Sequence, residues 1–416
     1  MTQRAHRALA VSVADIRQAA DTIAGAVLRT PALNAPALSS LISGEVVLKL
    51  EMLHPTGSFK ERGALTKLIS LDAAQRSAGI IAMSAGNHAQ GVAYHARRLG
   101  IPATIVMPEE TPFTKVERTE GYGARVLLRG AGLAEARGAA DEIAKAEGLT
   151  LVHPYDDPRI IAGQGTVALE LLADHPDLET IVVPIGGGGL IAGIAIAAKA
   201  IKPDIAIIGV ECAAYPSMLH ALGRCAKPAG GTTLADGIAV KEPGKLTRAA
   251  VAALVDDILL VDEPTLERAV GLLLDATKLV VEGAGAASLA ALLAHGERFR
   301  GRRVGLVLSG GNIDARLLAS ILQRELVRAG RLVRLRVEIT DIPGALAKVT
   351  GIIGQQGGNI VEIYHQRLFQ DVPVKHAEID AVVETRNPRH VGELVAALNG
   401  AGFLTRLLSS TAVDGS

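Results

Sequence analysis

Apolar residues along this chain fall into short runs separated by longer stretches of helical period. Val46 to Leu50, Ile80 to Met83, Ala103 to Met107, Thr180 to Pro184 and Ile205 to Val210 are such runs. They lack period-two alternation, as expected of strands covered on both faces. Between and around them the pattern predicts helices over 14–25, 61–78, 87–99, 114–123, 131–147, 160–174, 189–200 and 315–329. It adds strands at 124–129, 149–152 and 304–308. Short buried strands alternating with helices predict an α/β fold with open parallel sheets.

From Arg331 the texture changes. Val333, Leu335, Val337 and Ile339 alternate with Arg334, Arg336 and Glu338, the mark of a strand with one wet face. A helix follows Pro343-Gly344, then a strand over Asn359–Leu368 and another over His376–Thr385. A helix opens at Asn387-Pro388, and a strand over Phe403–Leu408 closes the order βαββαβ, an α+β ferredoxin-like pattern. The expected domains are 1–328, with a smaller subdomain at about 55–150 inserted in the larger one, and 331–416.

At 416 residues the chain exceeds one ordinary domain. Lys plus Arg equals Asp plus Glu, 43 each, and Trp is absent, so neither a basic footprint nor stacking platforms for nucleic acid are present. Cys212 and Cys225 form no CxxC, which argues against a cysteine zinc site or a disulfide framework and for reduced thiols in the cytoplasm. Thr180 to Ala198 carries no charge, but Pro184 and the glycines from Gly186 interrupt it, so it reads as strand, loop and helix rather than a membrane span. Arg4 and Arg7 precede an apolar stretch that Asp15 ends too early for a signal peptide.

Four stretches carry chemistry. In Pro55-Thr56-Gly57-Ser58-Phe59-Lys60-Glu61-Arg62-Gly63 a lysine follows a tight turn at a helix start. The helix dipole lowers the pKa of an amine there and favours its nucleophilic form; taken alone, an ordinary exposed lysine is the plainer reading. Ser84-Ala85-Gly86-Asn87-His88 sits at a strand-to-helix turn, where free N–H groups suit a carboxylate. Here the plainer readings are Asn87 as a cap and His88 as a packing residue. Gly186-Gly187-Gly188-Gly189, between a buried strand and a helix, makes an anion cradle. It is neither GxxxxGK[ST] nor a complete GxGxxG, so nucleoside triphosphates and dinucleotides are disfavoured. Ser309-Gly310-Gly311-Asn312 follows another strand and can turn a hydroxyl into the crevice.

Together, in this order, these motifs resemble the fold-type II pyridoxal-phosphate enzymes, in their threonine/serine dehydratase branch, over residues 15 to 325. His153-Pro154-Tyr155-Asp156-Asp157, Ile161 to Thr166 and Asp236 to Val240 look like further pieces of that branch. The resemblance implies that Lys60 holds pyridoxal 5'-phosphate and later takes the Cα proton. Gly186, Gly187, Gly188 and Gly189 would receive the phosphate, and Asn87 the cofactor 3′-oxygen. Phe59 would lie beside the ring, and Ser309 would meet the pyridine nitrogen. Ser84, Ala85, Gly86, Asn87 and His88 would surround the substrate carboxylate. A neutral serine at the ring nitrogen favours brief carbanions and β-elimination. The implied activity is conversion of a hydroxy amino acid, threonine first and serine second, to a 2-oxo acid and ammonia. A 3-hydroxyaspartate or serine ammonia-lyase is the nearest alternative, then a serine racemase, against which Ala85 speaks because it has no proton to give. Glu211 stands where a racemase-type metal site has its first carboxylate, but Ser217 occupies the place of the later Asp, so no bound metal is expected. Glu282 reads equally as a helix-start carboxylate or a site residue. Lys60 argues against a non-catalytic sensor, and the incomplete fingerprint against a nicotinamide oxidoreductase.

The C-terminal module, with Asp341-Ile342-Pro343-Gly344, resembles an ACT domain. This implies an amino-acid effector, isoleucine first, near Asp341, Gly344 and Asn359, or else a dimerisation module without ligand. The expected assembly is a homodimer or homotetramer.

Overall fold

A computed structural model describes residues 9–226, 230–366 and 375–408. Arg4, Arg7 and the end of the strand expected to reach Leu368 lie outside them. The chain divides into two compact units, Met1–Ile313 and Asp314–Ser416.

The first unit holds two sheets. The larger one orders its strands β1 (Ala32–Asn34), β2 (Glu45–Leu50), β10 (Arg303–Leu308), β7 (Thr180–Pro184), β8 (Ala206–Cys212) and β9 (Asp257–Val261). All pair in parallel except β1, which runs antiparallel to β2. The smaller sheet, β5 (Arg125–Leu128), β4 (Ala103–Met107), β3 (Ile80–Met83) and β6 (Thr150–Leu151), is wholly parallel, and its strands fall between β2 and β7 in the chain. Every residue of β7 is buried, which is why it shows no alternation. Its neighbours in the core include Ile191, Ile194 and Ile207. A second core, with Ile80, Ala82, Ile105 and Val92, backs the smaller sheet.

The Lys60–Ile69 helix packs on the helices Asn87–Leu99 and Pro158–Asp174. Gly63 and Gly163 face each other at the second contact; a Cβ on Gly163 would sit 2.7 Å from the Gly63 Cα. The helix expected over 61–78 is two helices, Lys60–Ile69 and Ala73–Ala78. Asp72 breaks the run by capping the second, with Gln75 completing the box. Between Cys212 and Arg303 the structure also holds β9 and the helices Lys245–Leu254, Glu263–Thr277 and Gly283–His295.

In the second unit β11 (Leu332–Thr340), β12 (Asn359–Gln366), β13 (His376–Glu384) and β14 (Thr405–Leu408) form an antiparallel sheet in the order β12-β13-β11-β14. With the helices Ala345–Gln355 and Pro388–Gly400 this is the ferredoxin-like arrangement. Leu335, Val337, Val349, Ile379 and Leu394 share its core. The units part after Ile313 rather than between 328 and 331, because the Ala315–Arg328 helix groups with the second unit and packs on β11.

Candidate active site

Three adjacent strands of the larger sheet, β2, β10 and β7, deliver the Lys60 turn, Ser309 and the glycine run at their carboxyl ends. Ser84 to Asn87 follow β3 of the smaller sheet in the same manner. The crevice at strand carboxyl ends is where open α/β folds bind ligands.

The Lys60 turn is pinned from both sides. The Thr56 amide donates to Glu61 Oε1 at 2.6 Å, and the Phe59 amide donates to the Ser309 carbonyl at 3.1 Å. The Lys60 Nζ donates to the Pro154 carbonyl at 2.8 Å and lies 5.2 Å from the Phe59 ring centre. Burial pushes its pKa down to about 8, the Glu282 carboxylate opposing. About a tenth of the amine is therefore in its nucleophilic form at pH 7, far more than for an ordinary lysine.

Asn87 begins the Asn87–Leu99 helix, and its side chain is held at both ends. Its Nδ2 donates to Glu282 Oε1 at 2.7 Å, and its Oδ1 accepts from Asn312 Nδ2 at 2.7 Å. The Asn312 amide also donates to the Thr56 carbonyl at 2.7 Å, tying this clamp to the Lys60 turn. Glu282 stands at the cap position of the Gly283–His295 helix but makes no side-chain cap; its carboxylate reaches the site instead. Burial, with Asp236 adding to it and Asn87 opposing, pushes its pKa up to about 7.

His88 is buried, and its Nε2 donates to the Val152 carbonyl at 2.9 Å. Burial and the nearby Lys60 take its pKa down to about 3. It is a neutral packing histidine, leaving its backbone amide as the group available to a carboxylate. The Ser84 hydroxyl accepts from the Gly86 amide at 3.1 Å, with Ala85 between them. A Cβ on Gly86 would meet nothing within 4 Å, so open space lies beside that backbone. Ser309 is buried, and its hydroxyl has no hydrogen-bond partner among the described residues.

Gly186 to Gly188 lead into the Gly189–Ile201 helix, whose start has no side-chain cap, so its first amides face outward. Gly188 has φ +92°, a left-handed conformation suited to glycine. These features fit pyridoxal phosphate: an amine for the aldehyde at one end, an amide cradle for the phosphate at the other, and a free hydroxyl and open backbone between.

Glu211 is engaged elsewhere. Its carboxylate accepts the Met218 and Leu219 amides at 2.7 and 3.1 Å, while the Ser217 hydroxyl donates to the Val240 carbonyl. In the second unit the regulatory residues do not meet within one chain. Asn359 pairs across β13 with Glu384, at the end where β11 begins at Leu332. Asp341 follows the other end of β11, beyond Thr340. Eight residue steps along β11 separate these ends, roughly 26 Å. The expectation that Asp341, Gly344 and Asn359 lie near one effector within a chain is corrected on that ground. Gly344 has φ +87° and open space around it.

Sequence reading gave no role to Asn312 or Tyr155, although both lie in stretches it singled out. It also missed the ion network behind the Lys60 turn, where Lys49, Glu51 and Arg62 are buried. The visible signal was a lysine and a glutamate at the end of an otherwise apolar strand.

Such a site, at the carboxyl ends of parallel strands with a half-buried lysine and a glycine cradle on neighbouring strands, defines a fold-type II cofactor enzyme. A family model for pyridoxal-phosphate dependent enzymes matches residues 23–310. The chain belongs to that family. It is 43% identical over 400 residues to an L-threonine ammonia-lyase of Thermotoga maritima, covering 96% of this chain and all of that relative. Among solved structures it resembles the processed form of threonine deaminase isoform 2 from Solanum lycopersicum, with TM-score 0.70 and 34% identity over 75% of this chain and 91% of that one. It also resembles maize serine racemase, with TM-score 0.71 and 35% identity over 77% and 99%.

Proposed function

We propose that this chain is an L-threonine ammonia-lyase, with L-serine as a second substrate. The observation that carries the reading is the likeness to the Thermotoga maritima enzyme along nearly the whole chain, with Lys60 at the centre of the site. When bound, pyridoxal phosphate supplies the electron-accepting ring that makes the substrate Cα proton removable. Lys60 takes that proton. The Ser84 hydroxyl and the amides of Asn87 and His88 hold the carboxylate beside the open Gly86 backbone, the Asn87 side chain holds the cofactor 3′-oxygen, and Phe59 lies beside the ring. The amides of Gly186 to Gly189 hold the phosphate. Ser309 offers the ring nitrogen a hydroxyl without charge, which favours loss of the β-hydroxyl over reactions needing a long-lived carbanion. Ala85 has no proton to deliver to the opposite face, which favours elimination over racemisation. Water is lost and regained, so threonine gives 2-oxobutanoate and ammonia.

The second unit serves as an ACT-like module for an amino-acid effector, isoleucine first. A site using both Asp341 with Gly344 and Asn359 needs a second copy of the chain, which supports a homodimer or homotetramer. No helix among the described residues is long and apolar enough to cross a membrane, and the cytoplasm is the assigned place. The test is 2-oxo acid release from threonine, serine and 3-hydroxyaspartate side by side, with and without isoleucine. Fastest release from threonine is expected. A cofactor-loaded enzyme inert toward threonine would move the function elsewhere in the branch.

A further inference from the structure

The glycine run answers to a second constraint besides the anion it receives. The Tyr155 ring occupies the place where a Cβ on Gly187 would stand, and Gly189 has the Tyr155 backbone and Cβ where its own Cβ would come within 3.1 Å. Thr247 fixes the loop from another side, its Oγ1 donating to the Gly187 carbonyl at 2.7 Å. Asp156 in turn accepts the Lys245, Leu246 and Thr247 amides, at 2.9, 2.9 and 3.3 Å, at the start of the helix that carries Thr247.

Tyr155 is itself held firmly. Its hydroxyl donates to the Glu242 carbonyl at 2.9 Å, and its ring stands edge-on to His153 with centres 4.7 Å apart. The His153 Nδ1 accepts the Tyr155 and Asp156 amides at 3.3 and 2.8 Å. Burial pushes that imidazole down to about 4, so Nδ1 stays an acceptor at neutral pH. One residue before Tyr155, the Pro154 carbonyl receives the Lys60 amine. Two residues after it, Asp157 caps the Pro158–Asp174 helix and pairs with Lys67 of the Lys60 helix at 2.7 Å. A single segment thus touches both ends of the cofactor site.

We infer that Tyr155 is a positioning residue: the segment His153–Asp157 sets the separation between the Lys60 amine and the glycine cradle, and the Tyr155 ring fixes the cradle. A ligand anchored at both ends is bound tightly only when the two anchors are held at its own span. The ring carries this role by its shape, since the hydroxyl proton is committed to Glu242.

The inference rests on the cofactor assignment and is separable from it. The cofactor-free chain is titrated with pyridoxal phosphate and with pyridoxal, following the absorbance of the bound aldehyde. Pyridoxal phosphate engages both anchors; pyridoxal engages the lysine end alone. Tyr155→Phe keeps both affinities within about twofold of the parent. Tyr155→Ala weakens pyridoxal phosphate about tenfold or more while leaving pyridoxal within about twofold. Gly187→Ala weakens pyridoxal phosphate as well, because its Cβ overlaps the ring. Adding Tyr155→Ala to it restores part of the loss, because the space is then open. A mere loss of stability would not reverse sign in this way. Should Tyr155→Ala fail to fold, Tyr155→Leu takes its place in both experiments. Equal weakening of both ligands, or a Gly187→Ala defect indifferent to residue 155, overturns the inference. A parent chain that binds neither aldehyde overturns the cofactor assignment instead.

Discussion

Lys60 and Arg62 stand two residues apart on one helix, Arg62 buried and Lys60 half-buried at the crevice, and their partners differ. Arg62 reaches back into a network in which every nitrogen has a partner. Its Nε and Nη2 donate to Glu51 at 2.7 and 2.9 Å, and its Nη1 and Nη2 donate to Glu170 at 2.7 and 2.8 Å. Lys49 donates to Glu170 at 2.6 Å and to the Thr30 carbonyl at 2.7 Å. Burial disfavours the Arg62 charge, but Glu51 and Glu170 outweigh it and hold its pKa above the ordinary arginine value. Lys60 faces the crevice with one backbone carbonyl as its direct partner, and burial prevails. The difference teaches that pairing, not burial alone, divides a structural cation from a reactive amine.

The largest expected effect follows from the unpaired side. Lys60→Ala should lower 2-oxo acid release by about a thousandfold or more, since the proton acceptor is gone. Its effect on stability has the opposite sense to that of an ion-paired residue. Lys60 has a folded pKa below its unfolded one, so its charged form at pH 7 costs stability, and stability is regained as pH rises from about 8 toward 10.5. With both chains cofactor-free, the variant should melt no lower than the parent at pH 7. A marked fall in melting temperature would show that Lys60 holds the fold together and would break the comparison.

Next comes Arg62→Ala, which leaves Glu51 and Glu170 to share Lys49 in place of two cations. A cost of about 3 to 5 kcal/mol is expected in denaturant unfolding. A loss below about 1 kcal/mol would mean that the network relaxes or admits water, and that its pairing does not set Arg62 apart from Lys60.

How far this contrast was legible in the sequence depends on the distance between partners. The Lys60 turn, the glycine run and Ser309 were readable because each pairs a strand end with small residues over a few positions. The parallel sheets were readable from unbroken apolar runs such as Thr180 to Pro184. Arg62 was not, because its partners Glu51 and Glu170 come from a strand end and a distant helix. Glu282 stayed ambiguous because a carboxylate at a helix start has a local explanation, and only the Asn87 contact removes it. The region after Cys212 was passed over although Ile258 to Val261 of β9 is an unbroken apolar run like those of the other parallel strands. The break at Asp72 was visible as Asp-x-x-Gln and was passed over in favour of a longer helix.

Glu282 gives a smaller effect with a defined sign. Its folded pKa, about 7, lies above the ordinary carboxylate value of 4.5, so the folded chain retains a proton that the unfolded chain releases. Its contribution is fully present below about 4.5 and is lost as pH rises through about 7. Glu282→Gln keeps an oxygen for the Asn87 amide and removes that loss. In the cofactor-free chain the variant should match the parent near pH 4 and exceed it above pH 7 by about 3 kcal/mol or less. The same change removes the charge that opposes deprotonation of Lys60. The pH midpoint for uptake of pyridoxal phosphate should therefore fall. An unmoved midpoint would disconnect Glu282 from the lysine.

The smallest effect is expected at the rim, where Lys115 pairs with Asp236 at 2.9 Å. This pair matches the Arg62 contacts in length, but its side chains are 37% and 67% exposed. Water already solvates both charges, so little is gained when they meet and little is lost when they part. Lys115→Ala should change unfolding stability by less than about 1 kcal/mol, with the difference shrinking further in high salt. Lys115 also opposes the upward shift of Glu282, so its loss should push that carboxyl higher still. The stability lost near neutral pH through Glu282 should then extend to slightly more alkaline pH. A stability loss comparable with that of Arg62→Ala would mean that distance alone, and not the exclusion of water around the partners, decides what an ion pair contributes in this chain.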